Sequence, residues 1–481
     1  MSTRQKFVKY AKLLSGYGIG TFLNQSINLI LIPLFWRVLS PEEFGVIAVT
    51  QIVSLFLQPI YMFGISETIQ RFYYIWTEEE RPHYLGWIFW FLFAFTLFLS
   101  VFLDIIGTYF SKYLIISVPF SPLLRLTLWS TFLANFINIP IAISRIQQKV
   151  KTFNILFNGS FMTQIGLVYY LVAVKNLGPY GYVTGFFIAN LIWFTPILFI
   201  IFKNGVIFPS RKYIHVPVKY AAPICFGGLF EGIGSTMDRY FLDKYLPLAT
   251  IGFYNLARQF GSLVNIVNTV TKLVFVPYIY KVNALKKNAQ IILGHLGLIY
   301  GVIMTAPVIA VCTLSHETIQ ILDPNGVYLK IVSYIPYFAI SFYFLALATV
   351  LGRGMDLAGK TKWSFSIPLI GGMTSLSVYL YSLPEAGVWG ILWGVLLGNI
   401  ARSLANIVLA ICYFPRKLYL KQLSVGLIFA ICCYFLLIQI QISNPYLSIL
   451  AKTSLLLFLL FVQIKAILHP SIEALIAPKK K

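Results

Sequence analysis

The sequence predicts an all-α integral membrane protein with about fourteen transmembrane helices. Of its 481 residues, 58% are hydrophobic and only 11% are charged, whereas soluble domains carry about 25% charged residues. Long apolar runs recur along the whole chain, and each membrane crossing needs about 20 such residues. The net charge of +22 is spread over short clusters between these runs, which favours basic cytoplasmic loops over a nucleic-acid-binding surface.

The predicted helices follow one another with short connections. The first run, 13–36, is too long for the apolar region of a signal peptide, so we expect it to be retained as a helix. The longest connections, 66–84, 203–218 and 314–330, are too short for a soluble domain. In chain order, the predicted helices are 13–36, 44–65, 85–106, 119–141, 153–174, 179–202, 219–241, 250–277, 289–313, 331–352, 363–381, 387–412, 420–438 and 446–464.

The basic residues alternate between the two sides of the membrane. With the N-terminus in the cytoplasm, the inside segments hold 26 Lys and Arg residues and the outside loops hold five. This asymmetry follows the positive-inside rule and supports an even number of helices, with both termini cytoplasmic. The five outside residues are Arg37, Lys112, Lys175, Lys244 and Lys330.

A weak internal repeat predicts two lobes. It pairs the first helix with the seventh and the second with the eighth, which gives a parallel repeat of two six-helix lobes around a central cavity, followed by two C-terminal helices. The predicted divisions are 1–202 (N-terminal lobe), 203–218 (cytoplasmic loop), 219–415 (C-terminal lobe) and 416–481 (two extra helices and a basic tail). The matches at a shift of 207 positions are Lys12/Lys219, Gly20/Gly227, Arg37/Lys244, Leu39/Leu246 and Gly45/Gly252.

Polar side chains inside the predicted helices are the candidate site residues, because such groups are costly in lipid and usually face a cavity or a partner. Three helices carry polar stripes at helical spacing. The stripes predict a water-filled cavity, although hydrogen bonds that only hold the bundle together are the alternative. The first stripe has Thr21, Asn24, Gln25 and Asn28; the seventh helix has Gly227, Glu231, Gly234 and Asp238; the eighth includes Arg258, Gln259, Asn265 and Lys272.

Basic groups outnumber acidic ones inside the predicted helices. Arg125, Arg239 and Arg402 add to those of the eighth helix. This excess favours an anionic substrate, and the planar guanidinium suits phosphate. Lys452 and Asp104 lie near helix ends, where the side chains are expected to reach the membrane surface.

Arg258 is the leading candidate for binding a substrate phosphate, because it lies too deep to reach the outer surface easily. Glu231 is the only carboxylate expected near mid-membrane, and together with Asp238 it is a candidate for coupling or gating. A permanent ion pair between Arg258 and Glu231 or Asp238 is the structural alternative. No catalytic residue, metal site or cofactor is predicted, and the segment 354–361, which matches a phosphate-loop pattern, joins two membrane helices without an α/β domain.

Two segments resemble a known family. Residues 37–45, RVLSPEEFG, are similar to the first-loop signature of the bacterial Wzx-type polysaccharide flippases. Residues 238–241, DRYF, and 251–258, IGFYNLAR, are similar to the stretch that opens their second half. The second similarity is shared more loosely across the multidrug/oligosaccharidyl-lipid/polysaccharide exporter superfamily.

The resemblance implies a transporter that flips a polyprenyl-diphosphate-linked oligosaccharide across the bacterial cytoplasmic (inner) membrane by alternating access, for cell-surface polysaccharide synthesis. Polysaccharide assembly proteins are implied partners. Two alternatives belong to the same superfamily: a lipid II-type flippase, which would carry arginines in its first helix, and a cation-coupled multidrug exporter, which would need acidic cavity residues. A membrane glycosyltransferase or polymerase is the alternative from another class, and it would need a sizeable outer loop.

Overall fold

The computed structural model describes residues 38–207, 215–285, 289–358, 365–415, 419–440 and 444–463, with the single positions 35, 209, 442 and 465. This part of the chain is almost entirely helical and contains no strand. The chain divides into two compact units, Met1–Gly252 and Phe253–Lys481.

In the residues that the structure describes, the first unit contains eight helices and the start of a ninth, which crosses the boundary between the units. One π-helical turn, Phe120–Leu124, leads into the fourth of them, and another, Tyr170–Val174, extends the sixth. The helices are α1 Pro41–Met62, α2 Ile65–Phe72, α3 Arg81–Leu114, α4 Arg125–Asn135, α5 Asn138–Ile146, α6 Val150–Tyr169, α7 Gly178–Asn204, α8 His215–Tyr245 and α9 Leu248–Gly261.

Helix α1 begins with a capping box. The Ser40 hydroxyl accepts a hydrogen bond from the Glu43 backbone N–H at 3.2 Å, and the Glu43 carboxylate accepts one from the Ser40 backbone N–H at 2.8 Å. Pro41 occupies the first turn, where its missing N–H costs nothing. Phe63 and Gly64 both adopt left-handed backbone conformations, with φ of 45° and 64°, so they end α1 and allow α2 to leave in a new direction.

An aromatic cluster holds the core of the first unit. Phe136, which is fully buried, has its ring 5.3 Å from that of Phe132 and 5.4 Å from that of Phe194, in edge-to-face arrangements. Such pairs stabilise more than their buried area alone. Nearby, α8 approaches α1 closely because Gly228 and Gly232 face Pro59.

The described part of the second unit contains nine further helices. The short 3₁₀ turn Leu329–Ser333 precedes the fourth of them. Gly387, with a φ of 56°, makes the tight turn between the sixth and the seventh. The helices are α10 Leu263–Leu285, α11 Ala289–Ile303, α12 Thr305–Leu322, α13 Ile335–Leu351, α14 Gly354–Leu357, α15 Ser366–Ala386, α16 Val388–Tyr413, α17 Leu420–Ile438 and α18 Pro445–Gln463.

A buried ion pair joins α12 to α18. The Lys452 ammonium contacts the Glu317 carboxylate, and the Ser448 hydroxyl donates to the same carboxylate oxygen at 2.9 Å. Glu317 and Lys452 are only 5% and 4% exposed. The prediction that Lys452 reaches the membrane surface is therefore wrong, because a buried carboxylate satisfies its charge instead.

Ten helical segments in the described residues are long and apolar enough to cross a membrane, which agrees with the predicted all-α membrane fold. The predicted helix 13–36 lies outside the described residues, and the predicted helices 219–241, 250–277 and 363–381 are not among the ten. Fourteen crossings therefore stay a prediction. The ten segments are Pro41–Ile69, Arg81–Tyr109, Phe120–Ile146, Val150–Val174, Gly178–Asn204, Gln290–Leu322, Leu329–Leu357, Val388–Tyr413, Lys421–Ile438 and Pro445–Gln463.

Three predicted boundaries are wrong. The predicted helix 250–277 is two helices, α9 and α10, interrupted at Ser262. The connection 66–84 contains most of α2 and the start of α3. The connection 314–330 begins too early because α12 continues to Leu322, and Glu317 is buried against Lys452 and Ser448 of α18.

Candidate functional site

A polar cavity of about 310 Å³ lies inside the first unit, among α1, α4, α5, α6 and α7. Its walls combine amide and hydroxyl side chains with two aromatic rings. The lining residues are Thr50, Gln51, Ser54, Leu55, Gln58, Thr127, Ser130, Thr131, Ala134, Asn135, Asn138, Gln164, Tyr182, Val183, Phe186 and Asn190.

Helical spacing directs these polar residues to one side of each helix. On α1, Gln51, Ser54 and Gln58 lie three to four residues apart and therefore share a face. On α4, Thr127 and Thr131 have the same relation. The cavity is thus formed by the polar faces of helices whose other faces are apolar.

A chain of three side chains crosses the cavity wall from α6 to α4. The Gln164 amide nitrogen donates to the Asn190 amide oxygen at 2.9 Å, and the Asn190 amide nitrogen donates to the Ser130 hydroxyl at 2.9 Å. Asn190 and Ser130 are only 8% and 7% exposed. Buried polar groups that are satisfied in this way hold a fixed geometry.

Two further hydrogen bonds tie α1 to its neighbours at the cavity. The Gln51 amide nitrogen donates to the Tyr182 hydroxyl at 3.0 Å, and the Ser54 and Thr131 hydroxyls lie 2.9 Å apart. The Tyr182 ring lies 4.9 Å from that of Phe186. Both rings line the cavity, so it offers aromatic faces as well as hydrogen-bonding groups.

Asn135 has an unused acceptor in the cavity wall. Its amide nitrogen donates to the Tyr61 carbonyl at 2.9 Å, whereas its amide oxygen is buried without a hydrogen-bond partner among the described residues. An unpaired buried acceptor is costly and is rare in native proteins. Because this oxygen has almost no accessible surface, it lies behind the cavity surface.

An apolar cavity of about 530 Å³ lies on the opposite side of α1 and α4. Helix α1 lines it with Ile52, Val53 and Phe56, whose positions alternate along the sequence with those of the polar residues described above. Leu128 of α4 and Leu124, at the end of the π-helical turn before α4, also line it. The two helices therefore form a partition within the first unit, polar on one side and apolar on the other.

The polar cavity is not the site that the sequence predicted. Its described lining residues carry no charged side chain, whereas basic groups were expected. Among the predicted residues, Asn24, Gln25 and Asn28 lie outside the described part of the chain. Their contribution to any cavity stays a prediction.

Arg125 forms an ion pair at the start of α4. Its Nε lies 2.7 Å from the Asp104 carboxylate of α3, with side chains 45% and 24% exposed. The guanidinium also lies over the Phe120 ring, 5.6 Å from its centroid. Asp104 thus has a specific partner, which the sequence analysis did not identify.

The predicted charged residues of α8 lie in one stretch of that helix. Asp238 and Arg239 are 2% and 6% exposed, and the Asp238 carboxylate accepts a hydrogen bond from the Arg239 backbone N–H at 2.9 Å. Glu231 belongs to the same helix, but its side chain is outside what the structure describes.

The break at Ser262 separates the predicted residues of the eighth helix. Arg258 and Gln259 are half-buried on α9, whereas Asn265 and Lys272 are exposed on α10. The predicted polar stripe therefore spans two helices and differs in exposure between them, and its place in a cavity stays a prediction. Asn265 accepts a hydrogen bond from Asn268 at 3.1 Å.

Arg402, the last predicted residue, is half-buried on α16, where its Cβ and Cγ lie beside Gly371 of α15.

The comparisons with known proteins agree with a membrane transporter fold. A family model described as "Polysaccharide biosynthesis protein" matches residues 12–283. No curated protein sequence matches the chain. Among solved structures, the lipid II flippase MurJ in an inward closed conformation is similar with a TM-score of 0.74 at 15% identity, over 92% of this chain and 97% of that one.

Two multidrug transporters are also similar in fold. An inward-facing MATE-family transporter of the MOP superfamily gives a TM-score of 0.60 at 12% identity, covering 84% of this chain and 95% of that one. The MATE multidrug transporter DinF-BH gives 0.58 at 15% identity, covering 83% and 94%. These identities show a shared fold and no more. The family model, in contrast, covers more than half of the 481 residues, so the chain belongs to the polysaccharide biosynthesis protein family.

Proposed function

We propose that this protein is a transporter that flips a polyprenyl-diphosphate-linked oligosaccharide across the cytoplasmic membrane, by alternating access, for cell-surface polysaccharide synthesis. Membership of the polysaccharide biosynthesis family carries the proposal. A sugar polymer made on a lipid carrier must have its hydrophilic part moved through the bilayer. A multi-span protein with a polar cavity among its membrane helices is suited to that task.

The partition formed by α1 and α4 supports an amphiphilic substrate. The amide and hydroxyl groups on one side suit a saccharide, and the 530 Å³ apolar cavity on the other suits a segment of isoprenoid chain. A soluble sugar would have no use for the apolar cavity. We therefore favour a lipid-linked sugar over a free one.

The same lining argues against a cation-coupled multidrug exporter. Cationic drugs require carboxylates in a site of low dielectric constant. The described residues that line the two cavities include no carboxylate. The fold likeness to the MATE transporters is therefore not matched by chemistry suited to cations.

In this proposal, arginines hold the diphosphate. Arg258 remains the leading candidate, with Arg125, Arg239, Arg402 and Lys272 as further ones. Glu231 and Asp238 remain candidates for coupling or gating. If Glu231→Gln folds normally and transports with unchanged pH and sodium dependence, a coupling role for Glu231 is excluded.

A lipid II-type flippase is the second candidate, because the similar structure of MurJ bears that name and is matched over 97% of its length. A deletion strain separates the two. We expect lipid-linked oligosaccharide to accumulate on the cytoplasmic leaflet and the wild-type gene to restore its export. Trapping of lipid II alone would favour the second candidate, and an unchanged distribution of both lipids would contradict a flippase role.

A further inference from the structure

The described lining of the polar cavity in the first unit is free of charge but rich in groups that both donate and accept hydrogen bonds. Its described lining has no Asp, Glu, Lys, Arg or His, yet it has three Asn and three Gln side chains. Amides and hydroxyls can each donate and accept, which matches the hydroxyl groups of a sugar. A carboxylate placed there would lose its hydration without gaining a cation.

The groups that face the cavity are already oriented. Gln164, Asn190 and Ser130 form a hydrogen-bonded chain, and Gln51 is bonded to Tyr182. A ligand would thus meet fixed donors and acceptors and would not have to order them, which lowers the entropic cost of binding.

The aromatic rings extend the match. Tyr182 and Phe186 lie four positions apart on α7, so their rings are neighbours on one face. The face of an aromatic ring is electronegative and attracts the weakly positive C–H groups of a sugar ring.

The size of the cavity limits what it can hold. Ligand pockets range over roughly 300–1,000 Å³, and this cavity, at about 310 Å³, lies at the lower end. It fits a small part of an oligosaccharide.

We propose that this cavity is a binding site for an uncharged sugar residue of the lipid-linked substrate, and that it selects neutral or N-acetylated sugars against acidic ones. The proposal rests on the flippase function proposed above. It assigns the sugar to the first unit's polar cavity and leaves the diphosphate to the arginines.

Binding to the full-length protein in nanodiscs tests this assignment with three probes: polyprenyl diphosphate carrying one N-acetylhexosamine, the same lipid carrying one hexuronic acid, and the bare lipid. We expect the neutral probe to bind at least about ten-fold more tightly than the acidic one, the equivalent of one good hydrogen bond or more. Equal affinity for the neutral and acidic probes would overturn the proposal.

Variants locate the effect. Gln164→Leu, which removes a half-buried amide, should lose about ten-fold in affinity for the neutral probe while its affinity for the bare lipid stays within about two-fold. Tyr182→Phe keeps the aromatic ring and removes only the hydroxyl, so it should lose less affinity for the neutral probe than Gln164→Leu does. Because this substitution changes the packing very little, such a loss of affinity would not be explained by a folding defect. Gln320→Leu, at an exposed amide near the end of α12, is the matched control and should behave as wild type.

The outcomes separate this proposal from the flippase function. If Gln164→Leu loses the same affinity for the neutral probe as for the bare lipid, the cavity does not bind the sugar. Flipping in proteoliposomes would still support the proposed flippase function in that case. Failure to bind any of the three probes, together with no flipping of either glycolipid, would overturn both.

Discussion

Gly45 and Gly252 lie 207 positions apart and make matching contacts. Gly45 packs against the backbone carbonyl of the residue four positions before Gly252, and Gly252 packs against that of the residue four positions before Gly45. A Cβ on Gly45 would overlap the Leu248 carbonyl, and a Cβ on Gly252 would overlap the Pro41 carbonyl. The same shift relates Pro41 to Leu248. A contact that is made twice, with its partners exchanged, is what an approximate two-fold axis produces; the internal repeat and its two lobes stay a prediction.

The first prediction concerns this glycine contact. Gly45→Ala and Gly252→Ala should each destabilise the protein by about 1–3 kcal/mol, because backbone cannot move aside as a side chain would. Gly166→Ala on α6 is the control, since nothing lies within 4 Å of its added Cβ and alanine favours a helix. Thermal unfolding in detergent measures the difference. Equal melting temperatures for Gly45→Ala and Gly166→Ala would show that the contact is not tight.

The segment that suggested the family has a structural explanation. Ser40 and Glu43 form the capping box that begins α1, Glu43 also lies against Gly178, and Gly45 makes the contact described above. The sequence was sufficient to recognise the segment and the fold class. It could not show that these residues shape a helix end, because both Leu248 and Gly178 are distant in the chain.

The polar cavity was harder to predict for a related reason. Gln164 and Asn190 lie on different helices, and neither belongs to one of the polar stripes identified in the sequence. Their common position emerges only when α6 and α7 pack together. Periodicity identifies the face of one helix, but it does not reveal which faces of different helices meet.

The second prediction concerns the ion pair between α12 and α18. Lys452→Ala should destabilise the protein by about 3–5 kcal/mol, because it leaves the buried Glu317 carboxylate without its cation. Arg125→Ala, which breaks the much more exposed pair with Asp104, should cost at most about 1 kcal/mol.

Thermal unfolding of the two variants side by side checks this ranking. Replacing both partners, as in Glu317→Gln with Lys452→Met, should recover much of the stability lost in Lys452→Ala. A Lys452→Ala protein as stable as Arg125→Ala would show that the buried pair contributes little.

The third prediction concerns topology. Reporter fusions placed after Gly205, which ends α7, should report the cytoplasm. Fusions placed after Gly326, in the turn that follows α12, should report the outer side. The motivation is the alternation of basic residues along the chain. The second fusion site lies beyond the predicted loop start at 314 because α12 runs to Leu322. Both reporters on one side would refute the proposed arrangement.

The fourth prediction concerns Arg258 as a ligand for the substrate diphosphate. Arg258 is half-buried near the end of α9, where a bidentate pair with phosphate would be stronger than in water. Each charged hydrogen bond contributes about 1.5–3 kcal/mol, so Arg258→Ala should weaken binding of bare polyprenyl diphosphate by at least about ten-fold. Arg258→Lys keeps the charge but loses the planar fork, so it should be only partly impaired.

Affinity, flipping in proteoliposomes and melting temperature should be measured together for these Arg258 variants. Arg353→Ala is the control, because Arg353 is paired with Asp356 at 2.8 Å on the one-turn helix α14 and is not a proposed ligand. A phosphate ligand should lose affinity and flipping while its melting temperature changes little. If instead Arg258→Ala and Arg258→Lys lose stability together and their affinity for the bare lipid is unchanged, Arg258 is part of a structural ion pair, and the diphosphate must be held by other cations of the chain.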